Sequence, residues 1–184
     1  MANKKNIVRR IKSAVISVSD KSNLKPLLQT LNRYNVKLIS SGGTFKAIRK
    51  LGFRCLEVSD YTGFNEILNG RVKTLHPKIH AGILNKRNNS SHKREIKKNN
   101  FQNIDLVIVN FYPFEKTLST TKNHNKIIEK IDIGGPALVR SAAKNYNDVT
   151  VITSTNQYSG LIDQLNRFKG ATKLEFRKKL SQSA

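Results

Sequence analysis

The sequence predicts an α/β protein in which a parallel β-sheet is covered by helices on both faces. Apolar runs of strand length alternate with segments of helical periodicity, an order that favours βαβ units and parallel strands. The chain has 184 residues, of which 38% are hydrophobic and 25% are charged, a balance typical of one globular domain. No apolar run approaches the roughly 20 residues that a membrane-spanning helix requires, so we expect no membrane partner.

The first half of the chain contains three predicted strands and two predicted helices. The strands lie at residues 13–19, 36–40 and 54–58. Leucines at helical spacing follow the first strand, and Asp20 or Ser22 is the expected N-cap of that helix. The second helix is expected to stop at Gly52. Residues 59–95 contain turns, a proline and many polar residues, which indicates a long functional excursion more than packed elements.

The second half of the chain continues the alternation. Strands are predicted at residues 104–110 and 149–153. Gly134, Gly135 and Pro136 are expected to open a helix that ends at Asn145, and a last helix is expected around Leu161. The expected division is a basic tail, one domain and a lysine-rich linker, at residues 1–11, 12–168 and 169–184.

The net charge of +22 is the largest departure from an average composition, with 34 Lys and Arg against 12 Asp and Glu. One interpretation is a nucleic-acid partner, because clustered cations gain affinity by releasing counterions from a polyanion. The other is codon drift in an AT-rich genome, which enriches Lys, Asn and Ile together. The second is favoured because the lysines lie in short scattered pairs without interleaved glycines and aromatics. We therefore expect no specific nucleic-acid partner.

The single cysteine, Cys55, excludes an internal disulfide and a metal cluster built from several thiols. A reducing compartment is the default for a chain without disulfides. The basic start of the chain is not followed by an apolar segment, so no secretory signal is expected. These features predict a cytoplasmic protein.

Polar segments directly follow three of the predicted strands, at the edge where doubly wound sheets bind ligands. They are Ser-Asp-Lys at 19–21, Ser-Gly-Gly-Thr at 41–44 and Asn-Phe-Tyr-Pro at 110–113. The 41–44 turn suits a phosphate, because glycines let backbone N–H groups approach an oxyanion and the helix N-terminus adds its dipole. A simple turn without a ligand is an equally weighted alternative.

Residues 70–77 contain two cationic side chains and a histidine, and each feature has both a functional and a structural interpretation. Arg71 and Lys73 would share one face of an extended segment, although a solvated basic loop is the more common reason for such a pattern. His76 and His80 have a spacing that metal ligands use on a helix. Because Pro77 disrupts the helix start and no glutamate completes the set, structural roles are favoured for both.

Three single residues complete the candidate set. Asp132 precedes the helix opened by Gly134, where the simpler interpretation is a favourable charge at the helix N-terminus. Lys144 ends the same helix, where a cation complements the helix dipole. Tyr112 places a phenol at the end of a predicted strand.

Five motifs together resemble one enzyme family. They are ISVSDK, SSGGT, GRVKTLHPKIHAGIL, VNFYPF and IDIGGPALVRSAAKN, in chain order. With them, the chain resembles the N-terminal IMP cyclohydrolase domain of the bifunctional AICAR formyltransferase/IMP cyclohydrolase family. The resemblance implies a methylglyoxal-synthase-like fold, which is a Rossmann-like parallel sheet. It also implies the last step of purine biosynthesis, in which a formamidoimidazole carboxamide ribotide loses water to give IMP.

The resemblance implies specific site residues. The substrate-binding positions are Ser19, Asp20, Lys21, Ser41, Gly42, Gly43, Thr44, Arg71, Val72, Lys73, Thr74, Asn110, Phe111, Asp132, Ile133 and Gly134. The catalytic candidates are Lys144, which matches the family's proton donor and acceptor, together with Lys73, Tyr112 and Asp132. The ring closure is a dehydration without a redox step, so we expect neither a metal nor an organic cofactor.

The chain departs from the family in two respects. Residue 111 is Phe where many relatives have Leu. The family's formyltransferase half follows this domain in longer chains, so no formyltransferase activity is expected from these residues. That half also builds part of the family dimer, which leaves a homodimer open for this chain. The expected small-molecule partner is a purine nucleotide.

Two alternatives belong to other functional classes. A methylglyoxal-synthase-like lyase has the same fold, but it needs a carboxylate base beside the phosphate turn, and the Phe-Lys-Ala-Ile that follows Thr44 supplies none. A basic nucleic-acid-binding module would rest on the charge alone.

Overall fold

A parallel five-stranded sheet forms the centre of the computed structural model, which describes residues 7–111 and 122–184. The strands are β1 Val8–Arg10, β2 Ser13–Val18, β3 Lys37–Ser40, β4 Leu56–Glu57, β5 Leu106–Asn110, β6 Thr150–Ile152 and β7 Ala171–Lys173. The sheet has the order β4-β3-β2-β5-β6, and every neighbouring pair is parallel. The predicted α/β fold with a parallel sheet is therefore confirmed.

Helices cover both faces of this sheet. They are α1 Leu24–Arg33, α2 Gly42–Lys50, α3 Val58–Thr62, α4 Pro77–Leu84, α5 Ser90–Lys98, α6 His124–Ile128, α7 Gly134–Lys144, α8 Tyr158–Arg167 and α9 Leu174–Ser183. The chain moves outwards from β2 in one direction and from β5 in the other. Right-handed crossovers therefore place α1 and α2 on one face and α7 on the opposite face. The direction reverses between β2 and β5, which is where ligands bind in this class of sheet.

The apolar periodicity identified the buried face of α1. Leu24, Leu27, Leu28 and Leu31 are all buried in the core. The predicted caps are wrong, however: the N-cap is Asn23 with a φ of 56°, and no side chain caps the helix. The Asp20 carboxylate accepts from the N–H of Ser22 instead, so it closes a turn before the helix.

The structure corrects both ends of the predicted domain. Within the predicted tail, β1 pairs with β7 in antiparallel register. The predicted linker contains β7 and α9, and Arg177 of α9 is fully buried. Its guanidinium donates to the carbonyls of Thr172, Tyr146 and Asn147. Residues 171–183 are therefore packed into the folded unit, through these hydrogen bonds and through the buried Leu180.

Residues 59–95 are also more regular than the sequence indicated. Three helices, α3 to α5, lie within or overlap this stretch. Pro77 does not disrupt α4 but occupies its first turn, and the His76 side chain caps the helix by accepting from the N–H of Lys78. Ile79 and Ile83 are fully buried one turn apart and fix α4 to the core. Within the described ranges, the structure has no helix of the length and apolar character needed to span a membrane.

Candidate active site at the carboxyl end of the sheet

Asn110 connects the two central strands at their carboxyl ends. Its Oδ1 atom accepts from the N–H of Ser19 at 2.7 Å and of Asp20 at 2.9 Å. Its Nδ2 atom donates to the Asp20 carbonyl at 2.9 Å. Because its side chain is engaged by the backbone, Asn110 positions the 19–21 turn, and its predicted contact with a nucleotide base has no support from these bonds.

The 19–21 turn contains one acidic residue, Asp20, and one basic residue, Lys21. Hydrogen bonds from Ser22 hold the pKa of the Asp20 carboxyl below its ordinary value. The Lys21 ammonium donates to the Ser19 carbonyl at 3.1 Å and to the Val18 carbonyl at 3.4 Å. Lys21 therefore lies at the end of β2, in the position predicted for a phosphate contact.

The N-terminus of α2 is open to an anion. Ser41 is the N-cap, but its side chain accepts no hydrogen bond from the helix. The first N–H groups of a helix have no acceptor within the helix, so those at Gly42 and Gly43 are available to a ligand. Gly42 has a φ of 54°, a conformation that favours glycine. The Thr44 hydroxyl is used differently, since it bonds to both the N–H and the carbonyl of Val18.

A short hairpin brings Lys73 to this helix N-terminus. Ile67 and Val72 form an antiparallel bridge that places Glu66 opposite Lys73. The Lys73 ammonium lies 2.8 Å from Glu66 Oε2. It also lies 3.5 Å from the position of a Cβ on Gly42, so two motifs far apart in sequence meet.

Arg71 lies on the same hairpin but has a different partner. Its Nη2 atom lies 2.5 Å from Glu129 Oε1, in the turn after α6. The hydrogen bond to Glu129 raises the pKa of the Arg71 guanidinium. Both side chains are exposed. Arg71 thus joins the hairpin to the segment before α7.

Asp132 caps the N-terminus of α7. Its Oδ1 atom accepts from the N–H of Gly135 at 2.8 Å, which is the structural role that its position allowed. A Cβ on Gly134 would lie 2.5 Å from Thr74 Oγ1, so the hairpin packs directly on this helix end. A Cβ on Gly135 would lie 3.1 Å from Phe111 Cε1, so the Phe111 ring is close to the same helix end. The structure therefore brings Thr74, Phe111, Asp132 and Gly134 together.

The remaining predicted residues differ in where they lie. Ile133 is exposed beside Asp132, and Val72 is half-buried in the hairpin. Lys144 is exposed in the last turn of α7, about 15 Å along the axis from Gly134 at 1.5 Å per residue. Its catalytic role stays a prediction. Tyr112 lies outside the described residues.

Three residues near the site were not found from the sequence. Glu66 and Glu129 are partners of predicted cations across long separations, which no local pattern reveals. Tyr158 begins α8, and burial raises the pKa of its phenol to about 12. Its hydroxyl is buried beside Asn110 without reaching hydrogen-bond geometry to any described residue. Its position after a strand end was the available signal.

The histidines and the other acidic residues form no evident metal centre. His80 Nδ1 lies 3.0 Å from Ser141 Oγ, and His76 caps α4, so each has a structural partner. Within residues 7–111 and 122–184, no group of three or more His, Cys, Asp or Glu side chains could hold a metal ion. That the reaction needs no metal stays a prediction.

Comparison with known families agrees with this geometry. The family model described as MGS-like domain matches residues 23–137. The chain belongs to the MGS-like domain family. A second model, described as AICARFT/IMPCHase bienzyme, matches residues 142–184 of this family member. The second match includes α9, in agreement with its place in the folded unit.

Individual relatives of this MGS-like chain carry one recurrent name. The bifunctional purine biosynthesis protein PurH of Prochlorococcus marinus (strain NATL2A) is 53% identical over 173 residues, which are 93% of this chain and 33% of that protein. The PurH of Dinoroseobacter shibae is 47% identical over 174 residues, or 95% of this chain and 33% of its own. This chain thus spans about a third of the curated relatives it matches. The crystal structure of ForH is 32% identical, with a TM-score of 0.82, and the match covers 94% of this chain and 90% of ForH.

Proposed function

We propose that this chain is an IMP cyclohydrolase that closes the second purine ring of a formamidoimidazole carboxamide ribotide. The proposal is supported by the PurH relatives and by the match to the AICARFT/IMPCHase model. The observation that carries it is the meeting of three predicted binding segments at one edge of the sheet: the 19–21 turn, the open N-terminus of α2 and Lys73.

The phosphate of the ribotide is proposed to bind at the N-terminus of α2. The free N–H groups of Gly42 and Gly43 supply donors, and the Ser41 hydroxyl lies beside them. Lys73 and Lys21 supply charge, and hydrogen bonds to charged groups contribute about 1.5–3 kcal/mol each. Thr44 and Asn110 support this cradle by fixing the two turns that form it.

The ring closure requires the enzyme to orient the two reacting groups and to transfer protons. The carboxamide nitrogen forms a bond to the formyl carbon and loses one proton, the formamide nitrogen loses a second, and the former formyl oxygen leaves with both protons as water. Both groups belong to one molecule, so the site has only to hold them in attack geometry. A proton acceptor and a donor to the oxyanion lower the barrier further.

The geometry suits Asp132 and the N-terminus of α7 to this second task. One carboxylate oxygen of Asp132 is used by the cap, which leaves Oδ2 to accept a proton from the carboxamide. The dipole at Gly134 favours negative charge on the formyl oxygen. Lys73 is proposed to assist from the hairpin, and Tyr112 and Lys144 keep the roles that the resemblance implies. Of the three catalytic candidates within the described residues, Lys144 has the least support from the geometry.

Turnover of the formylated ribotide, followed by ultraviolet absorbance, tests the proposal. Saturable formation of IMP is expected, without a requirement for divalent ions. A rate equal to the uncatalysed reaction would overturn the proposal. Release of phosphate from a triose phosphate would instead favour the lyase alternative.

We further propose a cytoplasmic homodimer without a specific nucleic-acid partner. Apolar side chains exposed around the hairpin and before α7 support a dimer surface, namely Phe64, Ile67, Leu68, Ile131 and Ile133. Sedimentation equilibrium is expected to give twice the monomer mass. A salt titration on random duplex DNA is expected to show only weak binding; micromolar affinity at physiological salt would contradict it.

A further inference from the structure

Glu66 is an acidic residue within the part of the site proposed to bind an anion. Its Oε2 atom lies 2.8 Å from the Lys73 ammonium. Both residues line a cavity of about 270 Å³, together with Ser41 at the start of α2. A carboxylate here repels an incoming phosphate and also occupies a cation that would bind it. A role for the Glu66 carboxylate is therefore to be sought in the difference between the ligand-free and the ligand-bound protein.

Two glycines leave the space that the end of the Lys73 side chain occupies. A Cβ on Gly70 would come within 2.6 Å of Lys73 Cε, and a Cβ on Gly42 would lie 3.5 Å from Lys73 Nζ. The ammonium thus lies between the hairpin and the first residue of α2. A cation beside a helix N-terminus is electrostatically unfavourable, and the Glu66 carboxylate offsets this cost in the ligand-free protein.

We propose that Glu66 holds Lys73 in place in the ligand-free protein and is exchanged for the phosphate group of the ligand. The inference rests on the proposed function for the identity of the ligand, but the exchange itself requires only that the ligand carries a phosphate group. The ion pair is partly exposed, with 31% of the Lys73 side chain and 56% of the Glu66 side chain accessible, so breaking it costs little. A phosphomonoester carries about twice the charge of a carboxylate and gives Lys73 a stronger partner.

The test is titration calorimetry with inorganic phosphate on the wild type, Glu66→Gln, Lys73→Ala and the double variant. Glu66→Gln is expected to bind phosphate about two- to fivefold more tightly, because a like charge and a competitor for Lys73 are both removed. The exchange also predicts coupling between the two positions. Lys73→Ala should lower phosphate affinity by a larger factor in the Glu66→Gln background than in the wild type.

Glu95→Gln is the matched control, because it removes the same charge from an exposed site on α5. It is expected to leave the affinity unchanged. Three outcomes would overturn the exchange: no phosphate binding in any variant, no gain in Glu66→Gln, or equal factors for Lys73→Ala in the two backgrounds. A protein that shows the coupling but does not cyclise the formamide overturns the proposed function alone, and one that cyclises without coupling overturns the exchange alone.

Discussion

Removing the Thr44 hydroxyl tests whether this group supports the fold around the proposed phosphate site or contacts the phosphate itself. The hydroxyl accepts from the Val18 N–H and donates to the Val18 carbonyl, each at 3.0 Å. Thr44 and Val18 are only 6% and 4% exposed, so water cannot replace the hydroxyl when it is removed. We therefore predict that the hydroxyl anchors α2 to β2 and makes no contact with the phosphate.

Thr44→Val keeps the shape of the side chain and removes only the hydroxyl. An unpaired buried N–H costs about 1–3 kcal/mol and the lost bond to the carbonyl about 1 kcal/mol. In the variant, the Val18 carbonyl still accepts a long hydrogen bond from the Lys21 ammonium, which offsets part of the loss. The free energy of unfolding is therefore expected to fall by about 2–3 kcal/mol. For a chain of this size, Tm falls by roughly 5–10 °C. Thr44→Ser is the control, because it keeps the hydroxyl and loses one buried methyl, at about 1 kcal/mol.

Urea unfolding followed by circular dichroism gives the free energies, and phosphate titration on the same variants gives the affinities. Thr44→Val is expected to lose stability while the folded fraction binds phosphate with nearly wild-type affinity. A variant with wild-type stability and greatly weakened phosphate binding would refute the reasoning, since the hydroxyl would then be a ligand contact.

Four further predictions concern binding, catalysis, stability and metal dependence. Lys21→Ala is expected to weaken IMP binding by about 1.5–3 kcal/mol in calorimetry, and unchanged affinity would remove Lys21 from the site. Lys73→Ala should lower kcat/KM more than Lys144→Ala, because only Lys73 lies at the cradle; the reverse order would extend the site along α7. Arg177→Met should cost about 3–5 kcal/mol in urea unfolding, since three carbonyls lose a buried donor, whereas exposed Lys178→Met should cost almost nothing. Exhaustive chelation should leave turnover unchanged, and loss restored by a divalent ion would contradict this.

Strands and most of the site edge could be predicted because each is encoded locally. β-Branched apolar runs formed β2 and β5, and the polar residues after them lie at one edge because parallel strands end together. The Gly134 helix also formed as expected. Periodicity and strand ends are properties of neighbouring residues, so a single sequence is sufficient to reveal them.

Most of the wrong or missing predictions concern side chains whose hydrogen-bond or ion-pair partners are distant in sequence. α9 resembled a linker because its main anchor is a charged side chain, Arg177, whose acceptors are backbone carbonyls that sequence does not display. Glu66 and Glu129 were missed because their pairs with Lys73 and Arg71 exist only once the hairpin forms. For α4, the signal was present: Pro77 suits the first turn of a helix, but it was interpreted as a disruption.

The few acidic residues of this basic chain have defined structural partners. Asp105 accepts from the N–H groups of Lys12 and Ser13, and Asp148 pairs with Arg9 and accepts from the N–H of Arg87. At the site edge, Asp20, Glu66, Glu129 and Asp132 each have a defined partner as well. Replacing any of these carboxylates by lysine would leave its hydrogen-bond or ion-pair partner unpaired. The charge of +22 therefore coexists with an ordered fold, because the carboxylates that organise the fold and the candidate site are in place.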